Sequence, residues 1–126
     1  IIPLREYAKM PYDRDILVRL IVKKEAASFD YQSVRNTQTD FPVLTCAAAK
    51  TEAGYRFAIG ARPGKAVLFA LPNEDMKDKN VENIAEYAAK CVKEQIVTGS
   101  NTRGSAEYRN HLAGVLVRRA VCKFGE

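Results

Sequence analysis

Ala66-Val67-Leu68-Phe69-Ala70-Leu71-Pro72 is the last stretch of this sequence with strand character, and the change of period beyond Pro72 decides the fold. From Val81 onward, Ile84, Ala85, Ala88, Val92 and Ile96 recur at helical spacing, with Glu82, Glu86, Lys90 and Lys93 on the other side. Asn80 is placed to cap this helix and Gly99 to stop it. A second helix follows Gly104-Ser105, with Leu112, Ala113, Leu116, Val117, Ala120, Val121 and Phe124 on one apolar face. The Ser105 side chain can accept hydrogen bonds from first-turn amides that otherwise lack partners.

Upstream of Pro72 the period is that of strands. Asp15-Ile16-Leu17-Val18-Arg19-Leu20-Ile21-Val22 is aliphatic and β-branched and reads as a first strand. Ala26 to Arg35 reads as a single helical turn or an irregular crossing segment. Pro42 then introduces Val43-Leu44-Thr45-Cys46-Ala47-Ala48-Ala49, a second apolar run. Thr51-Glu52-Ala53-Gly54 supplies a hairpin loop, and Tyr55-Arg56-Phe57-Ala58-Ile59 alternates as a strand does. Arg62-Pro63-Gly64-Lys65 is a turn, since Pro fixes φ and Gly permits positive φ. Strands first and helices last, rather than alternation, predict an α+β fold: an antiparallel sheet of three to four strands covered by helices.

The chain has 126 residues, 47% of them apolar and 28% charged, which fits one domain with its own core. Residues 1–14 read as a linker or leading extension. The start, Ile1-Ile2-Pro3-Leu4, has neither a Met nor the charged-then-apolar layout of a signal peptide, so a fragment of a longer chain is expected. No apolar run reaches the ~20 residues that cross a bilayer, so no membrane partner is expected. The formal charge is +5. Its Arg and Lys are scattered from Arg5 to Lys123 among acidic residues, which reads as a solvated surface and argues against nucleic acid. Cys46, Cys91 and Cys122 are far apart and never form CxxC, the pattern of small core residues in a reducing cytoplasm.

Motifs for catalysis are sparse. His111 is the single histidine and sits within the last helix, which leaves no triad and no four-ligand metal set to build around it. It reads as a surface or helix-packing residue. Gly60-Ala61-Arg62-Pro63-Gly64-Lys65 lacks P-loop spacing and a following helix. Thr98-Gly99-Ser100-Asn101-Thr102-Arg103-Gly104-Ser105 leads into a helix but follows another, as a tight interhelical turn does.

Thr102-Arg103-Gly104-Ser105-Ala106-Glu107-Tyr108-Arg109, continuing through Leu112 and Leu116 to Ala120, resembles the ending of the medium, FAD-carrying subunit of molybdenum hydroxylases, the xanthine dehydrogenase/CO dehydrogenase type. Phe57-Ala58-Ile59-Gly60-Ala61-Arg62-Pro63-Gly64-Lys65-Ala66 is similar to that family's strand ending in a Gly pair. Phe29 to Arg35, with Asp40-Phe41-Pro42-Val43, is a third, weaker likeness. The resemblance covers Asp15 to Phe124. It implies the C-terminal domain of the FAD-binding subunit, with a CO dehydrogenase flavoprotein C-terminal domain-like sandwich that is not catalytic alone. It also implies FAD in the full-length subunit, held chiefly by preceding N-terminal domains, with [2Fe-2S] and molybdenum cofactor in partner subunits. Such enzymes hydroxylate a purine, another N-heterocycle or an aldehyde and pass electrons through FAD to NAD or another acceptor.

By the same resemblance, Ile16 or Leu17 and Tyr31 correspond to positions near the flavin edge, where relatives carry an aliphatic residue and a Lys. Tyr31 replaces that Lys. Arg103 and Arg109 are implied to be structural, one bridging the loop to the sheet and the other pairing with a carboxylate on the helix. The rival reading is a free-standing basic module for an anionic ligand or nucleic acid, which salt-sensitive binding would reveal.

Overall fold

A computed structural model describes residues 1–11, 14–24 and 26–126. Four strands, β1 (Ser28–Val34), β2 (Leu44–Thr51), β3 (Gly54–Gly60) and β4 (Val67–Pro72), form one antiparallel meander in chain order. After a 3₁₀ turn at Asn73–Met76 come two long helices, Val81–Gln95 and Ala106–Lys123. A one-turn helix at Leu4–Tyr7 buries nothing. Numbered in chain order, the helices are α1, α2 and α3. The α+β architecture expected from the change of period is therefore present, with α2 and α3 on one face of the sheet.

Local chemistry explains the boundaries. Asn80 and Ser105 both cap as expected: Asn83 N–H donates to Asn80 Oδ1 at 2.8 Å, and Tyr108 N–H to Ser105 Oγ at 3.1 Å. The first of these helices ends at Gln95, before Gly99. In the β2–β3 hairpin, Gly54 takes φ +128°, and a Cβ there would strike the Leu71 carbonyl of β4.

Inward positions of β2, β3 and β4 alternate cleanly. Leu44, Cys46, Phe57, Ile59, Phe69 and Leu71 meet Ala85, Ala88, Val92, Leu112, Leu116 and Val117 from the helices. Phe57 is at the centre, fully buried and stacked 5.8 Å from Phe69 and 6.1 Å from Tyr55. Truncating such a residue to Ala costs about 3–5 kcal/mol. Small residues bring the helices together: a side chain at Gly114 of α3 would run into the Lys93 stem of α2.

Two expectations are corrected. Residues 15–22 do not form the first strand; they carry no regular structure, and Ile16, Leu17, Val18, Leu20, Ile21 and Val22 are all exposed. Their strand propensity is real, but no neighbouring edge among the described residues completes a ladder. The first strand is instead β1, in the segment that reads as a crossing. Its inward positions, Asp30 and Gln32, are polar and hide the alternation. Lys123 of α3 pairs with Asp30, and Gln32 donates to Asp30 at 2.7 Å and to the Leu116 carbonyl. Of the expected leading extension 1–14, Tyr12 and Asp13 lie outside the described residues.

Candidate functional site

Because both long helices cover one face, the other face of the sheet is open. Antiparallel register aligns Tyr31, Ala47, Ala58 and Leu68 in one row across the four strands. The adjacent row is Phe29, Ala49, Arg56 and Ala70. Phe29, Tyr31 and Leu68 are 60–70% exposed, and the alanines between them are exposed or half-buried. The result is a shallow, largely apolar floor of methyl groups interrupted by the exposed Arg56 on β3, walled by two aromatic rings on β1 and by Leu68 on β4. Methyl-only side chains let a flat ring or another apolar surface approach closely.

At the end of the sheet where β1 and β3 finish, three arginines tie three connections together. Arg109, fully buried on α3, donates from Nε to the Val43 carbonyl at 2.8 Å and from Nη1 to the Gly99 carbonyl at 2.7 Å. It also bonds the Gly104 carbonyl, and its Nη2 donates to Asn101 Oδ1 at 2.6 Å. Arg103 pairs with Asp40 at 3.0 Å and lies 5.2 Å over the Phe41 ring. Arg62 in the β3–β4 turn donates to the Val97 carbonyl at 2.7 Å, and Gly99 N–H returns a bond to the Arg62 carbonyl at 2.9 Å. Arg103 thus bridges the interhelical loop to the β1–β2 connection. The expected carboxylate on the helix is not what Arg109 finds; every acceptor it meets is neutral. The planar five-donor guanidinium suits that task because it can address several directions at once.

Electrostatics follow the geometry. The hydrogen bond from Arg103, with that of the Phe41 amide, holds the Asp40 carboxyl below the usual carboxylate range. Burial, and secondarily the Arg103 charge, lowers the Arg109 value from its ordinary one, although a guanidinium stays charged. Burial pushes the Cys46 thiol up to about 12, so it is no nucleophile at neutral pH. His111 is exposed on α3. Among the described residues, no group of three or more His, Cys, Asp or Glu could hold a metal ion. No described helix is long and apolar enough to cross a membrane.

A dinucleotide needs a cradle for its phosphates, and part of the 98–105 loop's amide set is already engaged. Within 98–105, Gly99, Asn101 and Gly104 amides bond carbonyls of the loops themselves, and the Arg103 amide bonds Asn101 Oδ1 at 2.9 Å. The α3 N-terminus is likewise occupied, with Ala106 N–H on Ser100 Oγ at 2.8 Å. The open face offers methyl groups and two aromatic rings to a flat ring system, while four amides of the 98–105 loop are used within the domain. Of the three positions read as flavin-edge residues, Tyr31 stands on that face, while Ile16 and Leu17 sit in the exposed arm before β1. Sequence reasoning missed Phe29 and Leu68, whose signal was alternation with Asp30 and Phe69. It also missed the part played by Arg62.

Comparison with known proteins bears on the same region. An uncharacterized protein, YgfM, of Escherichia coli strain K12 is 29% identical over 115 residues, 90% of this chain; its O157:H7 counterpart matches equally. The chain spans 42% of the length of these curated relatives. Among solved structures, quinoline 2-oxidoreductase from Pseudomonas putida 86 superposes with TM-score 0.63 at 21% identity, covering 79% of this chain and 37% of that one. Carbon monoxide dehydrogenase from Hydrogenophaga pseudoflava gives TM-score 0.56 at 18% identity, with 77% and 36% covered. Both show the fold. A family model for the CO dehydrogenase flavoprotein C-terminal domain matches residues 29–124, from the open face of β1 to the end of α3, and to that family this chain belongs.

Proposed function

We propose that this chain is the C-terminal domain of the FAD-binding subunit of a molybdenum hydroxylase, a xanthine dehydrogenase-like oxidoreductase of the cytoplasm. It closes one side of the flavin site and docks partner subunits. The observation that carries this reading is the pairing of an open, largely apolar sheet face with a 98–105 loop in which four amides are bonded within the domain. A domain built in this way covers a cofactor held elsewhere rather than gripping one itself. When bound in the full subunit, FAD would supply electron transfer between [2Fe-2S] clusters and NAD or another acceptor.

The chain's own residues have three tasks in this reading. Tyr31, Phe29 and the alanine floor exclude water from one side of the ring system and set its distance. Ile16 or Leu17, on the arm, adds an aliphatic contact at the flavin edge. The arginine-tied loops hold the β1–β2 connection still, so that Tyr31 is presented in one position. The N-terminal flavin-binding domains, the iron–sulfur subunit and the molybdenum subunit are the partners of this arrangement.

The test is a flavin titration of the isolated chain beside Tyr31→Ala in the whole flavin subunit. The expected result is no FAD binding by the chain and an altered flavin absorption and fluorescence in the Y31A subunit. Tight FAD binding by the chain alone, or an unchanged flavin spectrum in the variant, would overturn the assignment.

A further inference from the structure

Ile16, Leu17, Val18, Leu20, Ile21 and Val22 are 59–87% exposed, and none of them pairs in a strand among the described residues. Six large aliphatic side chains in seven consecutive positions are not a solvent-facing pattern. Their order carries more information than their number. Ile16, Val18, Leu20 and Val22 occupy every even position, whereas the odd positions are Leu17, Arg19, Ile21 and Lys23. In a strand, that puts a wholly aliphatic face on one side and a mixed, partly charged face on the other.

The arm also has a particular place in the comparisons. The family model begins only at residue 29, yet likeness to the curated relatives spans 115 residues. Only Gly125 and Glu126 follow the family span, so that likeness must run back into the arm. The arm thus lies within the likeness to proteins more than twice as long, while lying outside the span of the family model on this chain.

We propose that Ile16–Val22 is a docking strand, which joins the edge of a sheet in the flavin-binding part of the subunit with Val18, Leu20 and Val22 turned into that part's core and its first residues, Ile16 and Leu17, left toward the flavin. This inference rests on the reading of the chain as one domain of a flavin subunit. Strand addition satisfies the arm's amides and carbonyls, and simultaneously removes the aliphatic face from water. It also fixes this domain next to the flavin, since β1 begins only a few residues after Val22.

The experiment is hydrogen–deuterium exchange on the whole flavin subunit, with FAD content read by absorbance in the same sample. The expected result is exchange over 16–22 slowed on the order of 100-fold relative to the isolated 126-residue chain. Val18→Asp and Leu20→Asp should abolish the protection, while Arg19→Asp should keep it, because only alternate positions face inward. Amides of β2 and α3 serve as the control for folding and should not change in any variant. A flavin-loaded subunit with a fast-exchanging arm, or equal sensitivity at 18, 19 and 20, overturns the docking strand and leaves the flavin-domain reading intact. A subunit that takes up no flavin overturns both. Protection in the isolated chain, with dimer formation lost in V18D, assigns the strand to a second copy and overturns the proposal as well.

Discussion

Arg109 on α3 donates from its Nε to the carbonyl of Val43, the residue just before β2, at 2.8 Å with both residues fully buried. That bond fastens the start of the last helix to the start of a central strand. Its other donors reach Gly99, Asn101 and Gly104 in the interhelical loop. No carboxylate shares the site, so the charge is compensated by carbonyl dipoles alone.

Substitution of Arg109 is therefore expected to be severe. Arg109→Met fills part of the volume but strands the buried Val43 carbonyl and takes a donor from the half-buried carbonyls of Gly99 and Gly104. The expected loss is about 3 kcal/mol, since each unsatisfied buried acceptor costs ~1–3 kcal/mol and the loop relaxes to rehydrate some of them. Arg109→Lys should recover little, because an ammonium cannot address four acceptors in separate directions. Urea denaturation of the three proteins, read by far-UV circular dichroism, checks both statements.

Acid sensitivity is expected to centre on Asp30. The hydrogen bond from Lys123 lowers its carboxyl below the ordinary value of 3.8, against a smaller opposing effect of burial, with Gln32 and the Tyr31 amide assisting. A carboxyl depressed by folding contributes stability that is complete above its unfolded value. The contribution is lost as pH falls below that value and through the folded one. Melting temperature should thus drop between about pH 5 and pH 2, and Asp30→Asn should flatten the decline while lowering the plateau at pH 7. Thermal scans across that range would decide it; a parallel pair of curves would remove Asp30 from the account. Asp40, depressed chiefly by the Arg103 hydrogen bond, adds to the same window with the same sign.

Thiol chemistry should separate the three cysteines. Cys46 is buried with its thiol pushed up to about 12, whereas Cys91 and Cys122 are half-buried. At pH 8 in native conditions, a disulfide reagent should modify Cys91 and Cys122 and leave Cys46 untouched until unfolding. Mass spectrometry of the labelled peptides reads the result, and early labelling of Cys46 would mean that the β1–β2 edge opens.

How much of this was legible in the sequence depends on which face each side chain joins. The helices were legible because Asn80 and Ser105 announce their starts and the apolar period is uninterrupted behind them. The last three strands of the meander were legible because their inward residues are apolar. β1 was not, because Asp30 and Gln32 occupy its inward positions and acquire their partners, Lys123 and Leu116, from the far end of the chain. The arm at 16–22 misled for the opposite reason: its propensity is that of a strand, but it pairs with no strand among the described residues. The open face could not be read at all until register placed Tyr31, Ala47, Ala58 and Leu68 side by side. Arg103 and Arg109 were flagged by resemblance, yet their acceptors are backbone carbonyls and an aspartate 63 positions away, which no spacing rule reveals.

Ala58 offers the most direct probe of that face. It sits in the middle of the floor between Ala47 and Leu68, with its side chain directed away from the core. Ala58→Glu adds a charge where nothing in the domain is displaced, so the isolated chain should keep its stability to within about 0.5 kcal/mol, as surface substitutions do. In the proposed arrangement of the full subunit the same change would place a carboxylate against an apolar partner and the flavin ring. Desolvating that charge is costly, and FAD retention after gel filtration should fall markedly. If A58E destabilises the isolated chain, the face is not free within the domain. If FAD retention is unchanged, the floor does not cover the cofactor, and the flavin must be closed from elsewhere.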